Sequence, residues 1–281
     1  MSRFVFWDGG LGGAAEAAVS TAVTLGLRIP QRLLLLNEGP TGRGLEEGIG
    51  QTVRLHSDTF GEGAVPEHGL DALLRLQSSG RLTASNLSDY TVPLLRGRLD
   101  LVCGTRLADS ARKELDNEGI AEILAIAEQS YGCVILQAQN RRLSEVLQEQ
   151  REGDVLVAVL PHRLGIMDEW FADVASYLGE PNRKLLFVIS PFDPRSRWGL
   201  NNLKRRYSGV QRLIGIPYHT GFSDAWNARN ILAYFRQTPI WSKRRGEREL
   251  LLKGYYELGD MLMEMAAGTT SASISPKERG A

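Results

Sequence analysis

Short runs of consecutive apolar residues recur along the chain and alternate with segments of helical periodicity. These runs are RFVFW (3–7), RLLLLN (32–37), DLVCG (100–104), CVILQA (133–138), DVLVAVLP (154–161), KLLFVISP (184–191) and RLIGIPY (212–218). A strand that is apolar at every position is buried on both faces, which is typical of parallel sheets covered by helices. The right-handed crossover rule then favours a doubly wound α/β fold, with a mostly parallel sheet and helices on both faces.

Helical patterns fill the intervals between these strands. The predicted helices cover 14–27, 68–80, 120–131, 167–178, 223–235 and 247–266. Ser223 is the expected N-cap of the fifth helix, because a serine hydroxyl accepts a hydrogen bond from the first turn. The glycine-rich segment 39–63 predicts a loop with at most a short helix. We expect one domain over 1–267 and a disordered tail over 268–281, which is small and polar in composition.

The composition indicates a cytoplasmic protein. Lysine and arginine total 33, as do aspartate and glutamate, so no net charge draws the chain to nucleic acid or to an anionic membrane. No stretch approaches the ~20 apolar residues of a membrane span, and Asp8 interrupts the first apolar run, so we expect no signal peptide and no membrane insertion. Cys103 and Cys133 lie in apolar runs, which fits buried free thiols better than a disulfide.

The stretch DGGLGGAA (8–15) follows the first predicted strand and leads into a helix. A strand, a glycine-rich turn and a helix form the ground plan of a phosphate-binding loop, in which backbone N–H groups face the anion. A working loop also needs a lysine for the β- and γ-phosphates and a serine or threonine for magnesium. This stretch has neither, so the residues alone are equally well explained by a tight strand-to-helix turn.

With its later motifs, the chain resembles the deviant Walker A group of P-loop ATPases, the MinD/ParA family, including its Tad/Cpa pilus-localisation branch. The first family motif reads KGGxGKT(T/S). Asp8 stands at its signature lysine, Gly13 at the Walker lysine and Ala14 at the magnesium-ligating hydroxyl. The matched loop positions are Asp8, Gly9, Gly10, Gly12, Gly13 and Ala14. The resemblance covers residues 3–265 in order and spacing and implies a P-loop NTPase-like fold of the MinD/ParA type.

Two further family motifs have lost their acidic residues. After the second strand the family reads LLIDxDPQG, and this chain reads LLLNEGPTG (34–42), so Asn37 and Gly39 replace both aspartates. The third family motif, YDxVIIDxPP, ends in the Walker B aspartate. Here it reads YGCVILQAQN (131–140), with Gln137 at the aspartate. The resemblance therefore makes Asn37, Gly39 and Gln137 degenerate switch positions.

The last two motifs concern the adenine side of the family's nucleotide site. The family's adenine-side asparagine, in a VVxN pattern, falls on Ser190 of FVIS. Its late IPxDxxxxxA segment is present from residue 216, with Pro217 at the proline. Ser190 and Pro217 are therefore the adenine-side positions that the resemblance implies.

These losses imply a pseudo-ATPase rather than an enzyme. Phosphoryl transfer relies on positioning and on charge neutralisation by lysine, metal and carboxylates. The Walker lysine and Walker B positions carry Gly13 and Gln137, so no catalytic residue, metal site or cofactor is expected. The loop backbone leaves weak nucleotide binding open, although Asp8 at the mouth repels phosphate.

The resemblance also implies a role and a partner. We expect a scaffold or positioning factor in a bacterial pilus, secretion or cell-organisation assembly, with a protein partner: a second copy, forming a homodimer, or a related ATPase, forming a hetero-complex. The residues around 9–15, 38–42 and 138–142 form the expected contact face. Two alternatives stay open, namely a divergent active ATPase that recruits its lysine and magnesium ligands from elsewhere, such as Arg43 or a partner chain, and a nonspecific DNA-binding partition protein.

Other charged residues have simpler explanations. Basic clusters occur at 141–142, at Arg195 and Arg197, at 204–206 and at 243–245, and they would suit DNA if they shared a face. Interspersed acidic residues favour a solvated surface instead. His219 and Asp224 lack a third ligand for a metal, so capping is favoured. The last helix carries an acidic polar face, which favours packing on the sheet over membrane binding.

Overall fold

The computed structural model describes residues 2–50, 52–53, 68–106, 117–138, 141–175, 177, 183–237 and 245–272. Its strands are β1 (Ser2–Trp7), β2 (Leu33–Leu36), β3 (Val92–Leu95), β4 (Leu99–Val102), β5 (Cys133–Gln137), β6 (Val155–Leu160), β7 (Lys184–Phe192) and β8 (Leu213–Pro217). In this part of the chain they form one eight-stranded sheet, in the order β3-β4-β2-β5-β1-β6-β7-β8.

The strand β1 lies inside the sheet and pairs in parallel with β5 on one side and with β6 on the other. The remaining neighbours are also parallel, except for the antiparallel pair β3 and β4 at one edge. Most strand residues are apolar because helices cover both faces of the sheet, and β2 and β6 are buried at every residue. The predicted doubly wound, mostly parallel sheet is confirmed.

Helices cover both faces of this sheet. They are α1 (Ala14–Arg28), α2 (Leu70–Ser78), α3 (Asn117–Ala127), α4 (Leu143–Glu149), α5 (Leu164–Val174), α6 (Leu200–Arg206), α7 (Thr220–Asn227), α8 (Ile231–Arg236) and α9 (Arg245–Ala272). One face buries α1, α7, α8 and α9 in a core that includes Phe4 and Tyr255. The other face carries α2 to α6 over two clusters, around Leu36 and around Trp170. Short 3₁₀ helices span Gly44–Ile49 and Leu87–Tyr90.

The last helix packs on the sheet, as its acidic polar face predicts. Leu251, Tyr255, Leu258 and Leu262 of α9 are buried against α1 and β8. Among the described residues, none of the helices combines the length and the apolarity that a membrane span requires. The domain limit at 267 and the tail 268–281 stay predictions, since α9 ends at Ala272 and residues 273–281 lie outside the described part.

The predicted helix 223–235 is wrong in its start and in its continuity. The chain forms two helices there, α7 and α8, and α7 begins at Thr220. His219 is the N-cap in place of Ser223, because its Nδ1 accepts a hydrogen bond from the N–H of Phe222 at 3.1 Å. Arg229, with φ of +58°, ends α7 in the left-handed region, although the apolar spacing continues through it. The edge strand β3 and the helices α4 and α6 were not predicted either.

Candidate functional site

The loop between β1 and α1 is built by four glycines in a backbone conformation that other residues adopt only with strain. The angle φ is +62° at Gly9, +80° at Gly10, +87° at Gly12 and +106° at Gly13. Glycine adopts such angles freely because it has no Cβ. The stretch therefore turns tightly at the carboxyl end of the central strand before α1 begins at Ala14.

Asp8 lies inside this loop rather than at its mouth, which corrects the expectation from the sequence. The side chain turns inward, and Asp8 is only 9% exposed. Its Oδ1 accepts a hydrogen bond from the N–H of Gly10 at 2.9 Å, and its Oδ2 accepts one from the N–H of Ala14 at 3.1 Å. Inward-facing backbone N–H groups of this kind bind anions. Here two of them bind a carboxylate of the chain itself.

The two positions matched to the Walker lysine and to the magnesium-ligating hydroxyl are closed to larger side chains or buried. Gly13 is the N-cap of α1, and a Cβ built on it would lie 3.2 Å from Cγ1 of Val159. A side chain at Gly13 would therefore be strained by the left-handed backbone and would press on Val159 near the end of β6. Ala14 is fully buried in the core beneath the loop.

Asn37, the first of the predicted switch positions, is part of a buried hydrogen-bond network after β2. Its Oδ1 accepts a hydrogen bond from the N–H of Gly39, the second predicted switch position, at 2.9 Å. Its Nδ2 donates to Oε1 of Glu46 at 2.8 Å and to the carbonyl oxygen of Arg43 at 3.1 Å. Asn37 and Glu46 are each 1% exposed. The amide of Asn37 therefore holds its own loop through hydrogen bonds.

Glu46 extends this hydrogen-bond network to the neighbouring strand, β4. Its Oε1 also accepts a hydrogen bond from the N–H of Gly104 at 2.6 Å, and its Oε2 accepts one from the N–H of Gly42 at 2.8 Å. Gly104 follows β4 and touches the same loop so closely that an added Cβ would lie 2.1 Å from the carbonyl oxygen of Gly39. The segment after β2 is thereby fixed to β4 by the chain's own groups.

Gln137, the third predicted switch position, lies next to the loop. It is the last residue of β5 and lies opposite Phe6 of β1, two residues before Asp8. The strand pairing continues with a hydrogen bond from the N–H of Ala138 to the carbonyl oxygen of Phe6 at 2.8 Å. Gln139 and Asn140, the end of that motif, lie outside the described residues.

Ser190 and Pro217, the predicted adenine-side positions, lie together in a cleft beside the loop. The cleft has a volume of ≈ 600 Å³, and Ser190 and Pro217 line it together with Gly12 and Gly13. The carboxyl ends of β1, β7 and β8 meet at this edge of the sheet, where ligands bind in open α/β folds. Among the described residues, the predicted loop, switch and adenine-side positions thus lie along the carboxyl edge of the sheet.

Known proteins were compared with the chain by sequence and by structure. No protein-family model matches it, and no curated protein matches it. A ParA family ATPase from Chlorobium tepidum aligns with a TM-score of 0.65 at 14% identity, over 92% of this chain and 98% of that chain. MinD from Pyrococcus horikoshii, complexed with Mg-ADP, aligns with a TM-score of 0.60 at 13% identity, over 96% of this chain and 99% of that chain.

A third solved structure is the MinC:MinD cell division protein complex of Aquifex aeolicus. It aligns with a TM-score of 0.54 at 14% identity, over 100% of this chain and 100% of the matched chain. This chain has the MinD/ParA-type fold. The fold predicted from the sequence motifs is confirmed, whereas the degeneracy of the motifs and the pilus-localisation branch stay predictions.

A second carboxylate, which the sequence analysis did not single out, lies at the loop of this MinD/ParA-type fold. Glu16 lies in the first turn of α1 and lines the cleft beside the loop. Burial raises the pKa of the Glu16 carboxyl, and the carboxylates of Glu47 and Asp8 raise it further, whereas the backbone N–H groups of Glu16 and Gly13 lower it. An acidic residue in the first turn was the available signal, because it favours a helix N-terminus. Glu46 gave no comparable signal.

Two of the basic clusters on this MinD/ParA-type fold are tied to carboxylates. The guanidinium of Arg206 donates to both carboxylate oxygens of Asp168, at 2.9 and 2.7 Å. Hydrogen bonds from Arg206, and then from Tyr207, hold the pKa of Asp168 below its usual value. Arg141 forms an ion pair with Glu149. Residues 243–244 lie outside the described part.

His219 has the capping role that the sequence favoured over metal binding. Besides the N–H of Phe222, the hydroxyl of Tyr234 lies 3.1 Å from its Nδ1. Within the described part of the chain, no group of three or more His, Cys, Asp or Glu residues is placed to hold a metal ion.

Proposed function

We propose that this chain is a pseudo-ATPase of the MinD/ParA type, which acts through protein contacts instead of nucleotide hydrolysis. The observation that supports this proposal is the position of Asp8. Its carboxylate binds the N–H groups of Gly10 and Ala14, at the place where a phosphate-binding loop presents its donors to the anion. A phosphate entering the loop would have to displace a charged, hydrogen-bonded group and meet its negative charge.

The residues around the loop do not fit magnesium and ATP. A P-loop uses a lysine on the terminal phosphates and a hydroxyl on the metal. This chain has Gly13 and Ala14 there, and no carboxylate at Asn37, Gly39 or Gln137. The second carboxylate at the loop, Glu16, adds negative charge beside the place where the phosphates would lie.

The fold and the exposed surface at the loop support a role in an assembly. We propose a cytoplasmic scaffold or positioning factor in a bacterial pilus, secretion or cell-organisation assembly, whose partner is a second copy or a related ATPase. The solved MinC:MinD complex shows that a protein of this fold takes part in a protein complex. Leu11, at the tip of the loop, is 49% exposed and offers an apolar contact at the expected face.

Two measurements on the purified protein test the proposal together. Phosphate release from ATP with magnesium should not exceed the buffer blank, while a MinD/ParA ATPase measured in parallel shows turnover. Sedimentation velocity should give the same association state with and without magnesium and ATP. Turnover above the blank, or an association state that changes on adding ATP, would favour the divergent active ATPase instead.

A further inference from the structure

The cleft beside the loop is large enough to hold a small organic molecule or a side chain of a partner. Its volume of ≈ 600 Å³ lies within the usual range of ligand sites. Its lining includes Gly12 and Glu16 from the loop side and Arg163 and Ile166 from the start of α5. The segment after β6, the ends of β7 and β8, and the helices α7 and α9 supply further lining.

Exposed apolar side chains line this cleft and the depression next to it. Leu11 and Tyr218 line it and are 49% and 60% exposed. A second depression of ≈ 410 Å³ shares Tyr218 with the cleft and is lined by Leu250, which is 50% exposed. Of the large hydrophobic side chains that the described part of the chain exposes, only Leu27 and Tyr256 lie elsewhere. Such a concentration marks a binding surface.

The acidic group of the cleft is not neutralised by the chain. Within the described part, no lysine or arginine forms an ion pair with Glu16. His162 also lines the cleft, but its two ring nitrogens are engaged by the N–H of Asp193 and the carbonyl oxygen of Trp198. Arg163 is exposed at the surface. The carboxylate of Glu16 is therefore available to pair with a cationic group of a ligand or of another protein.

We propose that this cleft binds an organic cation, a primary ammonium or guanidinium group attached to an apolar or aromatic body. The cation pairs with the carboxylate of Glu16. The apolar body lies along Ile166 and Tyr218, where an aromatic face is also available to a cation. The cation is either a free amine or a lysine or arginine side chain of a partner protein.

The proposal rests on the proposed function in one respect, namely that Asp8 closes the phosphate end of this site. The two can nevertheless fail separately. Binding of magnesium and ATP would remove the proposed function whatever the amines do. If neither ATP nor any cation binds, only the present inference fails.

The test is calorimetric titration of the full chain with three molecules of similar shape. Phenethylamine carries the cation, phenethyl alcohol is its neutral counterpart, and 3-phenylpropanoate is its anionic counterpart. A short acetylated Leu-Lys-Leu peptide, with norleucine replacing lysine as its control, represents the side chain of a partner. We expect saturable binding of the amine, the lysine peptide or both, and about tenfold weaker binding of each control.

Variants locate the site. Glu16→Gln keeps an oxygen acceptor for the loop and should weaken cation binding about tenfold, whereas Glu247→Gln, in the neighbouring depression, should leave it unchanged. Tyr218→Ala, at an exposed position, should weaken binding without affecting folding, so the test stands even if Glu16→Gln is unstable. Binding of the amine alone indicates a free amine, and binding of the peptide alone indicates a partner's side chain. No cation binding, equal binding of alcohol and amine, or equal binding by Glu16→Gln would overturn the proposal.

Discussion

Replacing Asp8 with alanine removes the carboxylate that occupies the loop. Asp8 accepts hydrogen bonds of 2.9 and 3.1 Å from the N–H groups of Gly10 and Ala14. A hydrogen bond to a charged group contributes about 1.5–3 kcal/mol. Gly10 is exposed, so water can replace its partner, whereas Ala14 is fully buried. We therefore expect Asp8→Ala to lower the free energy of unfolding by about 2–4 kcal/mol.

The same substitution should turn the loop into a site for external anions. Sulfate at a concentration of ~100 times its Kd would raise the variant's free energy of unfolding by about 2.7 kcal/mol. The assay is urea denaturation of the wild type and Asp8→Ala, with sodium sulfate and with sodium chloride at matched ionic strength. Sulfate also stabilises proteins by exclusion from their surface, so the decisive quantity is the extra stabilisation of the variant over the wild type.

Asp193→Ala is the matched control for this experiment. Asp193 also accepts a backbone hydrogen bond, from the N–H of Arg195 at 2.9 Å, but on an exposed loop. Asp193→Ala should lower the free energy of unfolding by less than about 1 kcal/mol, and sulfate should stabilise this variant no more than the wild type. An Asp8→Ala protein as stable as the wild type, or sulfate acting equally on all three proteins, would refute the reasoning.

Three further substitutions probe the loop and its supports. Gly13→Lys restores the lysine in sequence but places a side chain on a left-handed backbone conformation. Urea denaturation should therefore show a loss of about 1–3 kcal/mol in the free energy of unfolding. Phosphate release from ATP should stay at the level of the buffer blank. Glu46→Ala leaves the buried amide of Asn37 and two backbone donors without their acceptor, and the same assay should show a loss of about 3–5 kcal/mol. Burial raises the folded-state pKa of Glu16, so its contribution to stability is complete below the unfolded pKa and is lost as the pH rises through the folded pKa. Glu16→Gln should therefore gain stability relative to the wild type as the pH rises from the ordinary pKa of a glutamate carboxyl through the raised folded-state pKa, and a difference that is constant with pH would contradict this.

The order of the elements could be predicted because the buried strands are continuous apolar runs. A strand such as β6, buried on both faces, needs no partner information to be recognised. The edge strand β3 could not be recognised, since Val92–Leu95 contains Pro93 and is short. The break between α7 and α8 could not be predicted from the sequence for a different reason. It depends on the left-handed conformation of Arg229, which interrupts the helix while the apolar spacing continues.

The candidate site could be predicted in position but not in its hydrogen bonds. Glycine spacing and the strand-to-helix order placed the loop correctly, because both are local properties of the sequence. The inward turn of Asp8 depends on the φ angles at Gly9 and Gly10, which no sequence pattern specifies. Glu46 meets Gly104 across 58 residues of sequence, and only the parallel pairing of β2 with β4 brings the two together. Contacts of this range need the fold before they can be stated.

Isothermal titration calorimetry of the wild-type protein with ATP and magnesium tests the central claim most directly. If the carboxylate of Asp8 permanently occupies the loop, the heats should equal those of dilution up to millimolar ATP. A saturable one-to-one isotherm of micromolar affinity that requires magnesium would contradict the account.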